Sequence, residues 1–177
     1  MADVGGQAVW RSGGGAVSTE HKVILETIRD ALAAAIGPGG VSALSALRYA
    51  HIAPDVQFAL IELSGYPSVV IVPGPTAAGR RFSGSGYEEA WSIDVWLVDD
   101  AMSYDGIKAY WNILQWEDDV RDLLEMNAEV TAIAGVRSIH YRGKGKVEFV
   151  QSPLTDDGFL AYGLPVSFEV IVANNEL

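Results

Sequence analysis

The middle third of the chain most constrains its fold. Two apolar runs, residues 66–73 and 91–98, flank a bend rich in Gly, Arg and Ser, and an acidic, aromatic segment follows them. The stretch from Val69 to Val72 is continuously apolar and β-branched, with a proline on each side, which predicts a strand buried on both faces. The bend over residues 74–86 is predicted to be either a loop or an open hairpin arm.

The second apolar run predicts a strand with one strongly buried face. Its apolar side chains recur at every second position, which predicts an inward set of Trp91, Ile93, Val95 and Leu97. Trp96 makes the opposite face partly apolar as well. Asp99 and Asp100 are then expected to turn the chain.

Two helices are predicted from apolar residues spaced three and four apart. The first begins near Thr19 and carries an isoleucine and leucine stripe that runs to Ile36. The second covers residues 104–127, and its stripe includes Ile113, Trp116, Val120 and Leu123. Its acidic residues are predicted to form a solvated face, namely Glu117, Asp118, Asp119, Asp122 and Glu125.

The remaining segments add strands. Residues 41–52 are ambiguous between a short helix and a strand, with a strand favoured for 47–52. Residues 136–142 and 146–151 predict a hairpin that turns through Gly143, Lys144 and Gly145, and residues 159–172 predict the last strand or a bent pair of strands.

Together these elements predict an α+β fold, in which two long amphipathic helices pack on a mixed, mostly antiparallel sheet. The glycine-rich residues 1–18 are expected to be a flexible arm, and residues 19–177 a single domain.

The charge of the chain limits its partners. It carries 12 Lys and Arg against 23 Asp and Glu, for a net charge of -11, so its overall field repels nucleic acid. It contains no Cys and no apolar stretch of the ~20 residues that a membrane span requires. Specific DNA binding and membrane association are therefore not expected.

The sequence contains no complete motif for catalysis, phosphate binding or metal binding. Gly74 to Arg81 has the glycine spacing of a phosphate-binding loop, but Arg80 replaces the lysine and Arg81 the Ser or Thr that such a loop uses. His21, His51 and His140 are far apart in sequence and show no metal-binding spacing. We therefore predict no catalytic, cofactor-binding or metal-binding residues, and no enzyme.

The order of elements resembles that of the tail terminator and tail-completion proteins of long-tailed bacteriophages. The resemblance covers about residues 20 to 173. It is carried by the N-terminal helix, the strand near Leu47–Ile52, the run Tyr66–Gly74, the run Trp91–Val98 with Asp99 and Asp100, and the helix that ends in Val120–Leu124.

The resemblance implies a structural subunit of the virion tail or neck, assembled in the host cytoplasm. Six copies would form a ring that caps the tail tube, ends its polymerisation and joins it to the head connector. The partners would then be other copies of the chain, the tail tube protein and the connector protein. DNA would pass through without specific binding, past a lumen that we hypothesise to be acidic.

Two groups of residues are our candidates for contact with partners, because Arg and Tyr are favoured at protein interfaces. The first, on the bend, comprises Arg80, Arg81, Phe82 and Tyr87. The second, at the predicted hairpin tip, comprises Arg142, Lys144 and Lys146.

Other functions stay open. A head-completion or neck protein would also form a ring, on the portal side. A small cytoplasmic ligand-binding domain or enzyme would need a site assembled from scattered residues, such as a pocket that collects His51, His140 and a carboxylate. A monomeric adaptor would bind through an exposed sheet edge.

Overall fold

The computed structural model describes residues 19–36, 43–57, 67–81, 86–100, 106–126, 136–151 and 160–175. These ranges contain α1 (Thr19–Ala35), a short 3-10 helix (Ala43–Ala46), β1 (Tyr49–Ile52), β2 (Ser68–Arg81), β3 (Gly86–Asp100), α2 (Gly106–Met126), β4 (Val136–Lys144), β5 (Glu148–Gln151) and β6 (Leu160–Asn175). The predicted N-terminal arm, residues 1–18, and Phe82 lie outside them.

The described strands form one mixed sheet in the order β1-β2-β3-β6-β4, with β5 also paired to β6. β1 is parallel to β2, and every other pair is antiparallel. The α+β class and the mixed, mostly antiparallel sheet are thus confirmed. Residues 41–52 were ambiguous between a short helix and a strand. The segment contains one of each, since the 3-10 helix precedes β1.

Both helices pack on the same face of the sheet. One buried cluster joins α1 and α2 to alternate residues of β2, β3, β4 and β6. Ile24, Ile28 and Leu32 supply the contact from α1, and their four-residue spacing places them on one side of the helix. The predicted inward set of β3 is confirmed, since Trp91, Ile93, Val95 and Leu97 are all buried in this cluster.

The opposite face of the sheet has a smaller core at one end. Val70, Val98, Val150 and Ala161 are buried there beneath residues from the segment after β1, namely Ala53 and Val56. Trp96 packs against this cluster, as its position in the sequence predicts. Val69, Val70 and Ile71 are completely buried, which confirms that the first half of β2 is covered on both faces.

The predicted hairpin between residues 136–142 and 146–151 is wrong. β4 and β5 do not pair with each other, because both run antiparallel to β6 along the edge that β3 leaves open. Pro165 lies in β6 between the two pairings. It has no N–H to donate, so the ladder is interrupted, while its carbonyl accepts a hydrogen bond from the Gly145 N–H at 2.8 Å.

The bend between β2 and β3 is a hairpin arm rather than a loop. β2 continues to Arg81 and β3 begins at Gly86, with two irregularities in their pairing between Pro73 and Arg80. Asp99 and Asp100 were expected to turn the chain, but β3 continues through both and pairs with β6. Cross-strand pairing with β6 therefore extends β3 further than its apolar pattern indicates.

Candidate functional site

The residues predicted to contact partners fall at two separate places. Arg81 lies opposite Tyr87 at the end of the β2–β3 arm, and Arg80 lies opposite Glu88. Lys144 lies opposite Val166 of β6, whereas Tyr87 lies opposite Asn174. Eight residues of an extended strand span about 27 Å, so the two groups form two surfaces and not one.

The second group lies along a basic edge strand. No carboxylate occurs in residues 136–147, although the chain as a whole is strongly acidic. Its cations pair instead with acids of neighbouring elements: Arg137 with Glu88 at 2.7 Å, Arg142 with Glu169, and Lys144 with Glu117. Among the described residues, Lys146 has no ion-pair partner and is exposed.

Glu117 is the most deeply buried charged residue that the structure describes, with 4% of its surface exposed. Its prediction as part of a solvated face is wrong. Glu117 follows Ile113 by four residues and precedes Val120 by three, so it belongs to the buried stripe of α2. That spacing was the available signal, but the adjacent acids Asp118 and Asp119 obscured it.

Three contacts hold α2 to β4 around Glu117. The Tyr141 hydroxyl donates a hydrogen bond to Glu117 Oε1 at 2.8 Å, and Lys144 Nζ donates one to Oε2. The Tyr141 N–H donates to Glu125 Oε1 at 2.7 Å, about two turns after Glu117 along α2. We call Glu117, Tyr141 and Lys144 the clasp.

The clasp also changes the ionisation of its tyrosine. Burial is the main cause that raises the pKa of Tyr141, and the hydrogen bond to Glu117 and the charge of that carboxylate raise it further. The Arg121 guanidinium, 5.7 Å from the centre of the Tyr141 ring, acts in the opposite direction. Each oxygen of Glu117 accepts a hydrogen bond from the chain itself, so the clasp is suited to fixing the edge strand rather than to proton transfer.

The sheet face opposite the helices carries short polar side chains along its middle. The Ser167 hydroxyl donates to Asp94 Oδ1 at 2.6 Å across β6 and β3. Ser138 and His140 of β4 lie within hydrogen-bonding distance, at 2.8 Å between Oγ and Nε2. These polar side chains are thus paired with each other, away from the small apolar core on the same face.

The three histidines do not converge. His21 lies in the first turns of α1, where its ring stacks on Trp91 at 4.6 Å between centroids. His51 is on β1 and His140 on β4, at opposite edges of the sheet. Four strand spacings separate them, or about 19 Å. The pocket that would gather His51 with His140 is not formed.

Within the described ranges, no three His, Asp or Glu side chains come together in a way that could hold a metal ion. Neither described helix has the length and apolar character needed to cross a membrane. No protein-family model matches the chain, and no curated protein matches it either. The function is therefore argued from the geometry and the sequence pattern.

Proposed function

We propose that the chain is a structural assembly protein of a long-tailed bacteriophage. In this proposal, copies of the chain form a hexameric ring on the end of the tail tube, end its polymerisation and join it to the head connector. The observation that carries the proposal is architectural. The chain follows the order α1, β1, β2, β3, α2, and both helices lie on one face of a single mixed sheet.

The shape of the sheet supports a ring. Contacts in a closed ring are heterologous, so each subunit needs two unlike surfaces. The two ends of β3 differ in this way. One end carries Arg80, Arg81 and Tyr87 on the hairpin arm, and the other carries Asp99 and Asp100.

The distribution of charge supports passage of DNA through such a ring. In this proposal the two helices are long and amphipathic, and α2 presents its acidic side to the lumen. Asp118, Asp122 and Glu125 are exposed on α2, and only Arg121 lies among them. Carboxylates that line the lumen would repel the phosphates of a passing duplex.

The test is an elongation assay with tail tube protein. Purified chain is added to growing tubes, and tube lengths and ends are examined by negative-stain electron microscopy. We expect tubes to stop growing and to carry a ring at one end. Tubes of unchanged length with bare ends would refute the proposal.

A binding assay distinguishes a tail terminator from a neck protein. DNA-filled heads that lack tails are incubated with the chain in parallel with tubes, and bound chain is measured after sedimentation. A tail terminator binds to tubes without heads. Binding to heads alone would favour the portal-side function.

A further inference from the structure

Three neighbouring strands carry two aromatic rings and a carboxylate side by side at one end of the sheet. Phe149 of β5 lies opposite Tyr162 of β6, and Tyr162 lies opposite Asp99 of β3. Residues that are directly opposite on neighbouring strands project on the same side of a sheet, so the three side chains share one face. We call Phe149, Tyr162 and Asp99 the cross-strand row.

The cross-strand row lies on the face that the helices cover, at the end of the main core. Leu97 and Leu164, two residues further in along β3 and β6, are buried in the cluster that contacts both helices. Tyr162 is partly buried against that cluster, whereas Phe149 is 61% exposed. The row therefore continues the apolar face of the sheet out to solvent.

The two rings of the row are packed against each other. Their centroids are 4.8 Å apart, with 34° between the ring planes. β6 lies between β5 and β3, so Tyr162 has Phe149 as its neighbour on one side and Asp99 as its neighbour on the other. An aromatic ring with a carboxylate beside it attracts a cation through both groups.

Asp99 lacks a cation within the described part of the chain. None of the ion pairs between described residues includes Asp99. Burial is the largest cause that raises the pKa of Asp99; a hydrogen bond from the Asp100 N–H lowers this pKa, and the charge of Asp100 raises it. The ionised carboxylate is thus less stable here than in water, and a cation beside it would offset the loss.

The geometry of the row suits a guanidinium group better than an ammonium group. Neighbouring strands are about 4.8 Å apart, so a cation paired with the Asp99 carboxylate lies within about 6 Å of the Tyr162 ring, where cation–π attraction acts. A guanidinium is planar and weakly hydrated, so it can lie against a ring while it donates two hydrogen bonds to a carboxylate. An ammonium is compact and holds its water more strongly.

The surroundings of the row indicate where the guanidinium comes from. Small ligands bind in concave sites that enclose most of their surface, whereas the Phe149 ring projects into solvent. A second copy of the chain is a poor source, because a net charge of -11 makes two copies repel each other. Four described arginines are, moreover, already paired with acids of their own chain, namely Arg29, Arg121, Arg137 and Arg142.

We propose that the cross-strand row binds an arginine side chain of a different protein, presented on a basic docking segment. The guanidinium pairs with Asp99 and lies against Tyr162, while the methylene groups of the arginine extend along the row over Phe149. This inference goes beyond the proposed ring and does not depend on it. A failed elongation assay would leave the site standing, and loss of the site would leave the ring standing.

The test compares two peptides of equal charge. One carries three arginines separated by glycines, and the other carries three lysines in the same positions. Their dissociation constants with the full chain are measured by calorimetry at low ionic strength, where screening is weak. We expect the arginine peptide to bind about three times more tightly than the lysine peptide. Equal affinities would overturn the proposal.

Variants of the carboxylate separate local pairing from net charge. D99N should weaken the binding of both peptides about threefold, because both cations lose their partner. The matched control is D122N, which removes the same charge from a side chain on α2 that is 66% exposed. An equal effect of D99N and D122N would mean that only net charge matters, and it would refute the site.

Variants of the rings test the stacking. Y162L should abolish the preference for arginine over lysine, and Y162F should keep it. F149A should weaken the binding of the arginine peptide, whereas W111A, which removes another largely exposed ring, should not. Circular dichroism checks that each variant is folded, and the exposed Phe149 gives a test that does not disturb the core.

Sedimentation velocity of the chain alone tests the choice of partner. We expect no self-association that depends on Phe149. Self-association that F149A or D99N abolishes would overturn the assignment to a different protein and would identify a second copy as the occupant. Equal losses of peptide affinity in F149A and W111A would mean that any exposed ring binds the peptide, which would also overturn the site.

Discussion

The clasp between α2 and β4 gives the sharpest prediction about stability. The perturbation is K144M, which removes the ammonium that donates to the buried carboxylate of Glu117. Breaking a fully buried ion pair costs about 3–5 kcal/mol. The Lys144 side chain is 41% exposed, so water can partly replace it. A hydrogen bond to a charged group, worth about 1.5–3 kcal/mol, is therefore the better measure of the loss.

A double-mutant cycle isolates this interaction. E117Q keeps the size of the side chain and an acceptor for the Tyr141 hydroxyl, but it no longer needs a cation. We expect K144M to cost less in the E117Q background than in the wild type, with a coupling free energy of about 1–2 kcal/mol. Unfolding in urea, followed by circular dichroism and tryptophan fluorescence, measures each free energy.

The matched control is K146M, two residues away in the exposed break between β4 and β5. It should change the free energy of unfolding by no more than about 0.5 kcal/mol. If K144M were as mild as K146M, or if the cycle were additive, Glu117 would not depend on Lys144 and the clasp would not hold the edge strand.

Three other expectations follow from single residues. The raised pKa of Tyr141 means that, above pH ~10, the folded chain keeps a proton that the unfolded chain releases. Its stabilising contribution is therefore complete below pH ~10 and falls as the pH rises through the folded pKa. An absorbance titration at 295 nm should show one tyrosine that ionises at higher pH in the wild type and is missing in Y141F. The raised pKa of Asp99 predicts that D99N unfolds less readily than wild type in urea at pH 7, with no such gain at pH 3. A Cβ on Gly163 would lie 2.6 Å from Val150 Cγ2 and 3.1 Å from Trp96 Cε3, so G163A should lower the free energy of unfolding by about 1–3 kcal/mol and alter tryptophan emission. Gly143 has open space around it but a φ of +136, so G143A should lower the free energy of unfolding by about 1–3 kcal/mol through backbone strain alone.

The spacing of apolar residues was sufficient to predict the central strands and the two α-helices. The alternation in residues 91–98 gave the buried face of β3 correctly, because a half-buried strand imposes a period of two. The predicted helix over 104–127 is observed as α2, Gly106–Met126. These segments could be predicted from local sequence because the apolar residues whose spacing indicates the element are the same residues that are buried in the core.

Pairings between distant segments could not be predicted from the spacing of apolar residues. The sequence around Gly143 and Gly145 resembles a turn between two strands, but both strands prefer β6 as a partner. Pro165 of β6, about twenty residues later, lies between the two pairings, so the glycines fall at a break in the ladder rather than in a turn between β4 and β5. The partners of Glu117 were likewise not predictable from local pattern, because Tyr141 and Lys144 come from β4.

The interaction surfaces were only partly predictable. Arg80, Arg81 and Tyr87 are candidates from residue type alone, and their contact with a partner stays a prediction. The exposed Phe149 was not among the candidates, because the sequence does not show that its ring lies beside that of Tyr162. The pairing of β5 with β6 brings these two residues together, and local pattern does not predict that pairing.

Both edges of the sheet carry features that oppose edge-to-edge pairing with another sheet. β1, at one edge, has only four residues, and β2 beyond it contains Pro73, Pro75 and two pairing irregularities. β4, at the other edge, carries cations and two further irregularities. Short strands, prolines, bulges and charges are the features by which proteins prevent edge-to-edge pairing. The basic residues of β4 thus pair with acids of neighbouring elements and, as charges on an edge strand, oppose its pairing with another sheet.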